Sequence, residues 1–176
     1  MTASCEDRIN QELENTMNSF EHMAKMIDAG DWDKLDQDTI EFIEDYMGHY
    51  AEGDFDEHLS QIIDEYGISF ALEQNYHGVP FEYADELEVY TEEYGYGLVE
   101  ACESLGYAPL HWQFSWGGPS DGLVITLIKE RWGWDVVNAH YYFQDWFDGA
   151  WRELSPKQLG IVRKVVQTMC VECLFL

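Results

Sequence analysis

Four side chains in the last third of the chain have the types needed for acid–base or metal chemistry: His111, His140, Asp145 and Asp148. An imidazole beside a carboxylate is the common arrangement for a general base, and mixed His and Asp ligands can hold a metal. Their spacing argues against a meeting. His140 and Asp145 differ by an odd number, so in a regular strand they point to opposite faces, and Asp148-Gly149 reads as a turn. Asp31-x-Asp33 with Asp36 and Asp38 has the carboxylate density of a calcium loop, but lacks the Gly at the sixth position and the Glu at the twelfth. Cys170-x-x-Cys173 supplies half of a zinc site, and no second Cys-x-x-Cys or His-x-x-x-His completes it. In a chain of this size with no export signal, Cys5, Cys102, Cys170 and Cys173 are expected as reduced thiols. These readings lead to the expectation of no catalytic chemistry, no metal and no cofactor.

Carboxylates are the louder signal. Three dense groups stand out: Asp31, Asp33, Asp36, Asp38, Glu41, Glu44 and Asp45; then Glu52, Asp54, Asp56, Glu57, Asp64 and Glu65; then Glu82, Asp85, Glu86, Glu88, Glu92 and Glu93. Spacings such as Asp38, Glu41, Asp45 and Asp85, Glu88, Glu92 put carboxylates on one helix face. Residues 1–107 hold 28 acids against three bases (Arg8, Lys25, Lys34), and no Lys or Arg occurs in residues 35–128. A duplex carries one negative charge per ~1.7 Å of axis, so this segment matches the charge of about 14 base pairs. Helices of about 20 residues would present it along a rod of about 30 Å. Such an array suits the basic groove of a nucleic-acid-binding protein, and repels nucleic acid itself.

The remaining residues, 108–176, carry seven acids and six bases. A salt-adapted protein would be acidic throughout. This one spares a third of its length, which points to a directed field rather than a solubility device. Six of the seven tryptophans fall in 112–151. Trp112, Phe114 and Trp116 alternate onto one face and are expected in the core. Trp132 and Trp134 flank Gly133 in a turn and are expected to be exposed for partner contact. With hydrophobic residues at 46% and aromatics at 15%, the chain is too rich in core-forming residues for a disordered acidic tail. No apolar run reaches the roughly 18 residues a membrane span needs. The first residues have neither a basic region nor an apolar core, so a cytoplasmic location is expected.

The elements that must position these groups follow from periodicity. Ser4 with Asp7 fits a capping box, and Ile9, Leu13, Met17, Phe20, Met23 or Ala24 and Ile27 form one stripe, predicting a helix over about 5–28 closed by Gly30. Asp36 caps a second helix, with Ile40, Ile43 and Met47 as its stripe, ending near Gly53. Asp54 with Glu57 opens a third, carrying Leu59, Ile62, Ile63 and Tyr66, and Gly67 stops it. Ile68 to Leu72 alternates as a strand. Tyr83, Leu87, Tyr90 and Tyr94 keep helical spacing, and Leu98 to Leu105 forms a short helix closed by Gly106. His111 to Trp116, Leu123 to Ile128 and Val136 to Trp146 read as an antiparallel meander, with turns at Gly117 to Asp121 and Arg131 to Asp135. Ser155-Pro156 with Gln158 starts a final helix. The predicted class is α+β: an acidic, mainly helical region 1–107, then a small antiparallel sheet backed by a C-terminal helix over 108–176, together one compact unit.

Two stretches, Ser115-Trp116-Gly117-Gly118-Pro119-Ser120-Asp121 and Tyr142-Phe143-Gln144-Asp145-Trp146-Phe147-Asp148-Gly149-Ala150, resemble a pattern in small uncharacterised proteins of phages and plasmids. The resemblance covers roughly residues 107–155 and implies a mobile-element context. In charge and helicity alone, residues 1–107 are similar to acidic antirestriction and anti-CRISPR proteins. The expected function is therefore a nucleic-acid-mimicking inhibitor. It would block the DNA-binding surface of a bacterial CRISPR effector or restriction enzyme, with no membrane and no direct nucleic-acid contact. A two-fold homodimer would suit duplex mimicry. The alternative is an acidic adaptor that contacts its partner through the Trp-rich half.

Overall fold

The computed structural model describes residues 4–47, 54–74, 78–116, 119–146 and 148–176. Helix α1 spans Cys5–Ala29 and begins with the expected capping box. The Ser4 hydroxyl accepts from the Asp7 amide while the Asp7 carboxylate accepts from the Ser4 amide at 3.1 Å. Gly30 ends it in the left-handed region, at φ 60°, where a Cβ would be strained. The stripe Ile9, Leu13, Met17, Phe20 and Met23 is buried as the periodicity requires. So are Cys5, Thr16, His22 and Met26, which widen the buried face. That widening has a cause: α1 packs against the sheet, against α6 (Pro156–Thr168), and against α2 (Gln37–Met47) and α3 (Phe55–Glu65).

Five antiparallel strands run in the spatial order β1-β2-β3-β4-β5: Ser69–Leu72, Tyr107–Gln113, Ser120–Glu130, Gly133–Asp145 and Asp148–Glu153. The register sets Trp112, Leu123 and Tyr141 in one row across the middle strands. With Leu110, Ile125 and Ala139 they form the face on which α1 lies, and the Phe20 ring meets Trp112 at 5.1 Å. The core is continuous, with buried residues of α1, α3 and α5 (Leu98–Leu105) joined to those of the sheet and of α6.

Several expectations are corrected. The strand β5 was not foreseen: Asp148-Gly149 lies in it rather than in a turn. The turn falls earlier, where Trp146 takes a φ of 51° and Asp145 pairs with Asp148. Nothing in Asp-Gly-Ala-Trp-Arg-Glu has strong strand preference except the Trp; pairing with β4 and cover from α1 make the strand. The turn expected over Arg131 to Asp135 is shorter, because Gly133 already begins β4. The strand β2 ends at Gln113, so Trp116 leaves the face of Trp112 and is 81% exposed instead of lying in the core.

Beyond the 25-residue α1, the helices of the acidic segment are shorter than a 30 Å rod requires. The two beyond α1 have 11 residues each, and α4 (Ala84–Glu88) has five before it continues as a π turn over Val89–Glu93. The expected helix end near Gly53 and the residues Gly117 and Gly118 of the first motif lie outside the described residues. Finally, Cys170 and Cys173 are joined by a disulfide and only Cys5 and Cys102 are free thiols. The 3-10 turn Val171–Phe175 brings their Cα atoms to 5.5 Å, well inside bonding range.

Candidate functional site

The carboxylates fall into two groups held by different elements. Asp36 caps α2, accepting from the Thr39 amide at 2.8 Å, and Asp54 caps α3, accepting from the Asp56 and Glu57 amides. Each such cap stabilises a helix by about 1 kcal/mol. Buried Ile43, Phe55, Ile62 and Ile63 fix the inner faces of α2 and α3. The Trp32 ring then packs on Phe55 at 5.0 Å, and His22 stacks on Phe42 at 4.7 Å. Those contacts turn Asp38, Glu41, Asp45, Asp56, Glu57, Asp64 and Glu65 outward, and all of them are exposed, as are Asp31, Asp33, Asp36 and Asp54. Glu44 is the exception: it is half-buried, and its Oε1 has no hydrogen-bond partner among the described residues. Glu52 lies outside the described residues. The second group, Glu82, Asp85, Glu86, Glu88, Glu92 and Glu93, is exposed along α4 and the π turn. Leu87, fully buried, and the stack of Tyr83 on Tyr107 at 4.3 Å hold that group in place.

The distribution of positive charge separates these groups from the rest of the molecule. Arg152 pairs with Glu6, Lys157 with Glu21 and Lys164 with Asp28, a row of ion pairs that fastens α1 to β5 and α6. Lys129 pairs with Glu103, Arg163 with Asp135, and Arg8 with Glu12 and Asp145. Among the described carboxylates of the predicted field, Asp36 alone has a Lys or Arg partner, Lys25 at 2.8 Å. That ammonium, with the Thr39 hydroxyl and amide, holds the Asp36 carboxyl far below the usual carboxylate range. Helix dipoles sharpen the contrast. A carboxylate is unfavourable in a last turn, where basic residues belong, yet Asp45, Asp64 and Glu65 sit there on α2 and α3, whose last turns hold no basic residue. Like charges at i and i+4 cost roughly 0.2–0.5 kcal/mol per pair, as for Glu41 with Asp45.

The four His and Asp side chains with the types for acid–base chemistry each have partners within the fold. Asp145 pairs with Arg8 at 3.5 Å, and Asp148 accepts from the Cys5 amide at 2.7 Å, docking the start of α1 on the β4–β5 hairpin. His140 is buried edge-on to Trp151, and desolvation lowers its pKa. His111 lies on the same face, separated from His140 by Val124 in the register. Sequence reasoning missed its actual partners. His111 Nδ1 is 2.9 Å from the Glu73 carboxylate and Nε2 is 2.7 Å from the Tyr142 hydroxyl. Glu73 comes from the chain just after β1, so only strand pairing brings it there. Gly122 makes room for this link: a Cβ on it would stand 2.7 Å from the Tyr142 hydroxyl. His111 and Tyr142 are fully buried, so the carboxylate–imidazole–phenol chain stiffens the sheet.

A second polar knot joins Ser115 and Asp121, the two ends of the first motif. Ser115 Oγ donates to Asp121, the Asp121 amide donates back to that hydroxyl at 3.1 Å, and Tyr141 donates to the other Asp121 oxygen at 2.7 Å. Desolvation, with Asp121 beside it, raises the Tyr141 pKa strongly. Burial also pushes the Cys102 thiol up to about 12. Among the described residues, no three His, Cys, Asp or Glu side chains converge as metal ligands would.

Of the two tryptophans expected to be exposed, Trp132 is, at 86%, with the Arg131 guanidinium 4.7 Å from its ring. Trp134 is half-buried, stacked on Phe175 at 4.2 Å, because the C-terminal 3-10 turn folds back onto β4. No helix among the described residues is long and apolar enough to cross a membrane. No family model, curated protein or solved structure matches the chain.

Proposed function

We propose that this protein is an inhibitor that presents its carboxylate-bearing helices to the nucleic-acid-binding surface of a basic partner, a bacterial CRISPR effector or restriction enzyme. The observation that carries this reading is the segregation of charge. Seven of the nine Lys and Arg side chains pair with an acid, yet Asp36 is the single described member of the predicted field to receive one. A fold selected for stability alone would spread its bases among its acids. Leaving them unpaired costs stability through self-repulsion and favours fast, steered association with a cationic surface. Because α2, α3 and α4 are short, the fit is to a groove of positive charge rather than to the repeat of a long duplex. The protein acts by occupation, without chemistry.

The test is a pull-down from bacterial lysate with this protein as bait, washed in steps of rising salt. A nucleic-acid-binding complex that elutes at moderate salt and competes with DNA is the expected catch. Recovery only of a partner that does not bind nucleic acid, held through high salt, refutes it. That outcome would favour the adaptor reading, for which the exposed Trp132 is the supporting feature.

A further inference from the structure

We infer that the end of the sheet bearing Ile68, Trp116 and Trp146 is a second docking surface, which anchors the protein by seating apolar side chains in pockets of the same cationic protein partner. This inference rests on the inhibitor reading above and deepens it.

The three side chains are far apart in sequence and the topology gathers them. Ser69 pairs with Gln113, Gln113 with Gly122, Ser120 with Gln144, and Asp145 with Asp148. The entry to β1 and the β2–β3 and β4–β5 connections therefore share one end of the sheet, and Trp132 lies at the other. At the shared end Ile68 is 57% exposed, Trp116 81% and Trp146 84%. Large exposed apolar side chains that share one end of a sheet mark a contact surface more readily than single scattered ones do, and tryptophan is among the residues most enriched in contacts that dominate binding energy.

The feet of these loops are pinned, so the side chains are presented rather than trailing. Ser115 is fastened to Asp121, and the Phe114 amide donates to the Asp121 carbonyl at 2.9 Å. Beside Trp146, Asp145 is held by Arg8, and Asp148 by the Cys5 amide. Pre-organisation of this kind lowers the ordering cost of binding.

Charge decides the occupant. Asp64 and Glu65, exposed and without a basic partner among the described residues, immediately precede the Tyr66-Gly67-Ile68 approach to β1, and Asp145 and Asp148 flank Trp146. Arg8, which reaches Asp145, is also engaged by Glu12. An apolar patch rimmed by carboxylates repels nucleic acid, an anionic membrane and a second copy of this chain, which carries a net charge of −26. It complements a protein surface with apolar pockets edged by Lys and Arg. The partner would then meet two unlike contacts: a salt-sensitive one at the carboxylate helices and a salt-resistant one at the tryptophans.

The experiment measures equilibrium binding of the full chain to a panel of purified CRISPR surveillance complexes and restriction enzymes. Four proteins are compared: wild type, Trp116→Ser/Trp146→Ser, Trp132→Ser, and Asp38→Lys/Glu41→Lys/Asp45→Lys. The tryptophan pair is expected to weaken binding at least about 30-fold, with the loss persisting at about 0.5 M salt, where exposed charges are screened. Trp132→Ser should bind as wild type does. Because both replaced rings are exposed, the thermal midpoint should not move, which separates lost contact from lost fold. Unchanged affinity of the tryptophan pair, alongside a weakened lysine variant, overturns this inference and leaves the inhibitor reading standing. A wild-type dimer in sedimentation that the tryptophan pair abolishes, or tryptophan-dependent binding to phosphatidylcholine vesicles, assigns the surface to another occupant and overturns it too. If no complex in the panel binds wild type, the inhibitor reading itself fails and this inference falls with it.

Discussion

The seam between α1, β5 and α6 and the surface of α2 and α3 both carry acids and treat them oppositely. Along the seam, Glu6, Glu21 and Asp28 each meet a base reaching across from the C-terminal third of the chain. On α2 and α3 the acids other than the half-buried Glu44 face solvent, several of them at the unfavourable ends of their helices. Exposed ion pairs are worth little each, about 0–1 kcal/mol. The seam thus owes its strength to the apolar stripe of α1 and uses the pairs to hold register. The other surface has no such compensation. Negative charge ties separate elements together in the first region, whereas its described contacts in the second are mostly local: the caps at Asp31, Asp36 and Asp54 and the bonds that Glu41, Asp64 and Glu65 accept from Gln37, Ser60 and Gln61, together with the Lys25–Asp36 pair.

Breaking that contrast should have its largest effect on binding. Asp38→Lys/Glu41→Lys/Asp45→Lys should cut affinity for a basic partner about 100-fold at low salt while leaving the fold intact or more stable. Glu44 is left alone because it is half-buried. Inhibition equal to wild type would show that these helices are not the active surface.

Asp121→Ala, in the neutral part of the molecule, should do the reverse. It strips Ser115 and the buried Tyr141 of their acceptor and should cost about 2 kcal/mol in urea unfolding, with a loss of affinity smaller than that of the lysine variant, from loosening of the Trp116 loop. Arg152→Ala, at the seam, should cost about 0.5–1 kcal/mol; a larger loss would mean the pairs do more than hold register. Salt provides a test without mutation. Between about 10 and 150 mM it should raise fold stability slightly, by screening the unpaired acids, and weaken partner binding. Movement of both in the same direction would contradict the division proposed.

The smallest expected effect is that of pH. Burial lowers the pKa of His22, with Lys25 adding to the shift, and burial lowers that of His140, both from an ordinary value near 6.5. The unfolded chain therefore binds more protons than the folded one below that value. Their contribution is fully present above it and is lost as pH falls from about 6.5 toward the folded-state values. Thermal scans from pH 7.5 to about 5 should show falling stability, with a flatter profile for His22→Gln/His140→Gln. An unchanged slope in that variant would assign the dependence to other groups.

Elements with strong local signals were legible in the chain. The Ser4–Asp7 box, the stripe of α1 and Gly30 set one helix. Leu98 to Leu105 with Gly106, and Ser155-Pro156 with Gln158, set two more. A cap or an apolar period is a property of neighbouring residues, so sequence contains it. The density of carboxylates over residues 31–93, and the absence of Lys and Arg from residues 35–128, are likewise facts of sequence.

Other features were decided only when distant segments met. The strand β5 exists because β4 offers it a partner and α1 covers it. Trp116 is exposed because β2 ends three residues before it, whereas Trp112 is buried under Phe20. The disulfide depends on a C-terminal turn that folds back onto Trp134. The link from Glu73 through His111 to Tyr142 joins three strands' worth of chain. Most of all, which acids remain unpaired could not be read from net charge, since Arg152, Lys157 and Lys164 meet acids 146, 136 and 136 positions away. Sequence by itself determined where helices start and how much negative charge the protein carries, because both are local sums. Tertiary packing alone decided which of those charges are neutralised, because an ion pair requires that two surfaces be brought within a few ångströms of each other.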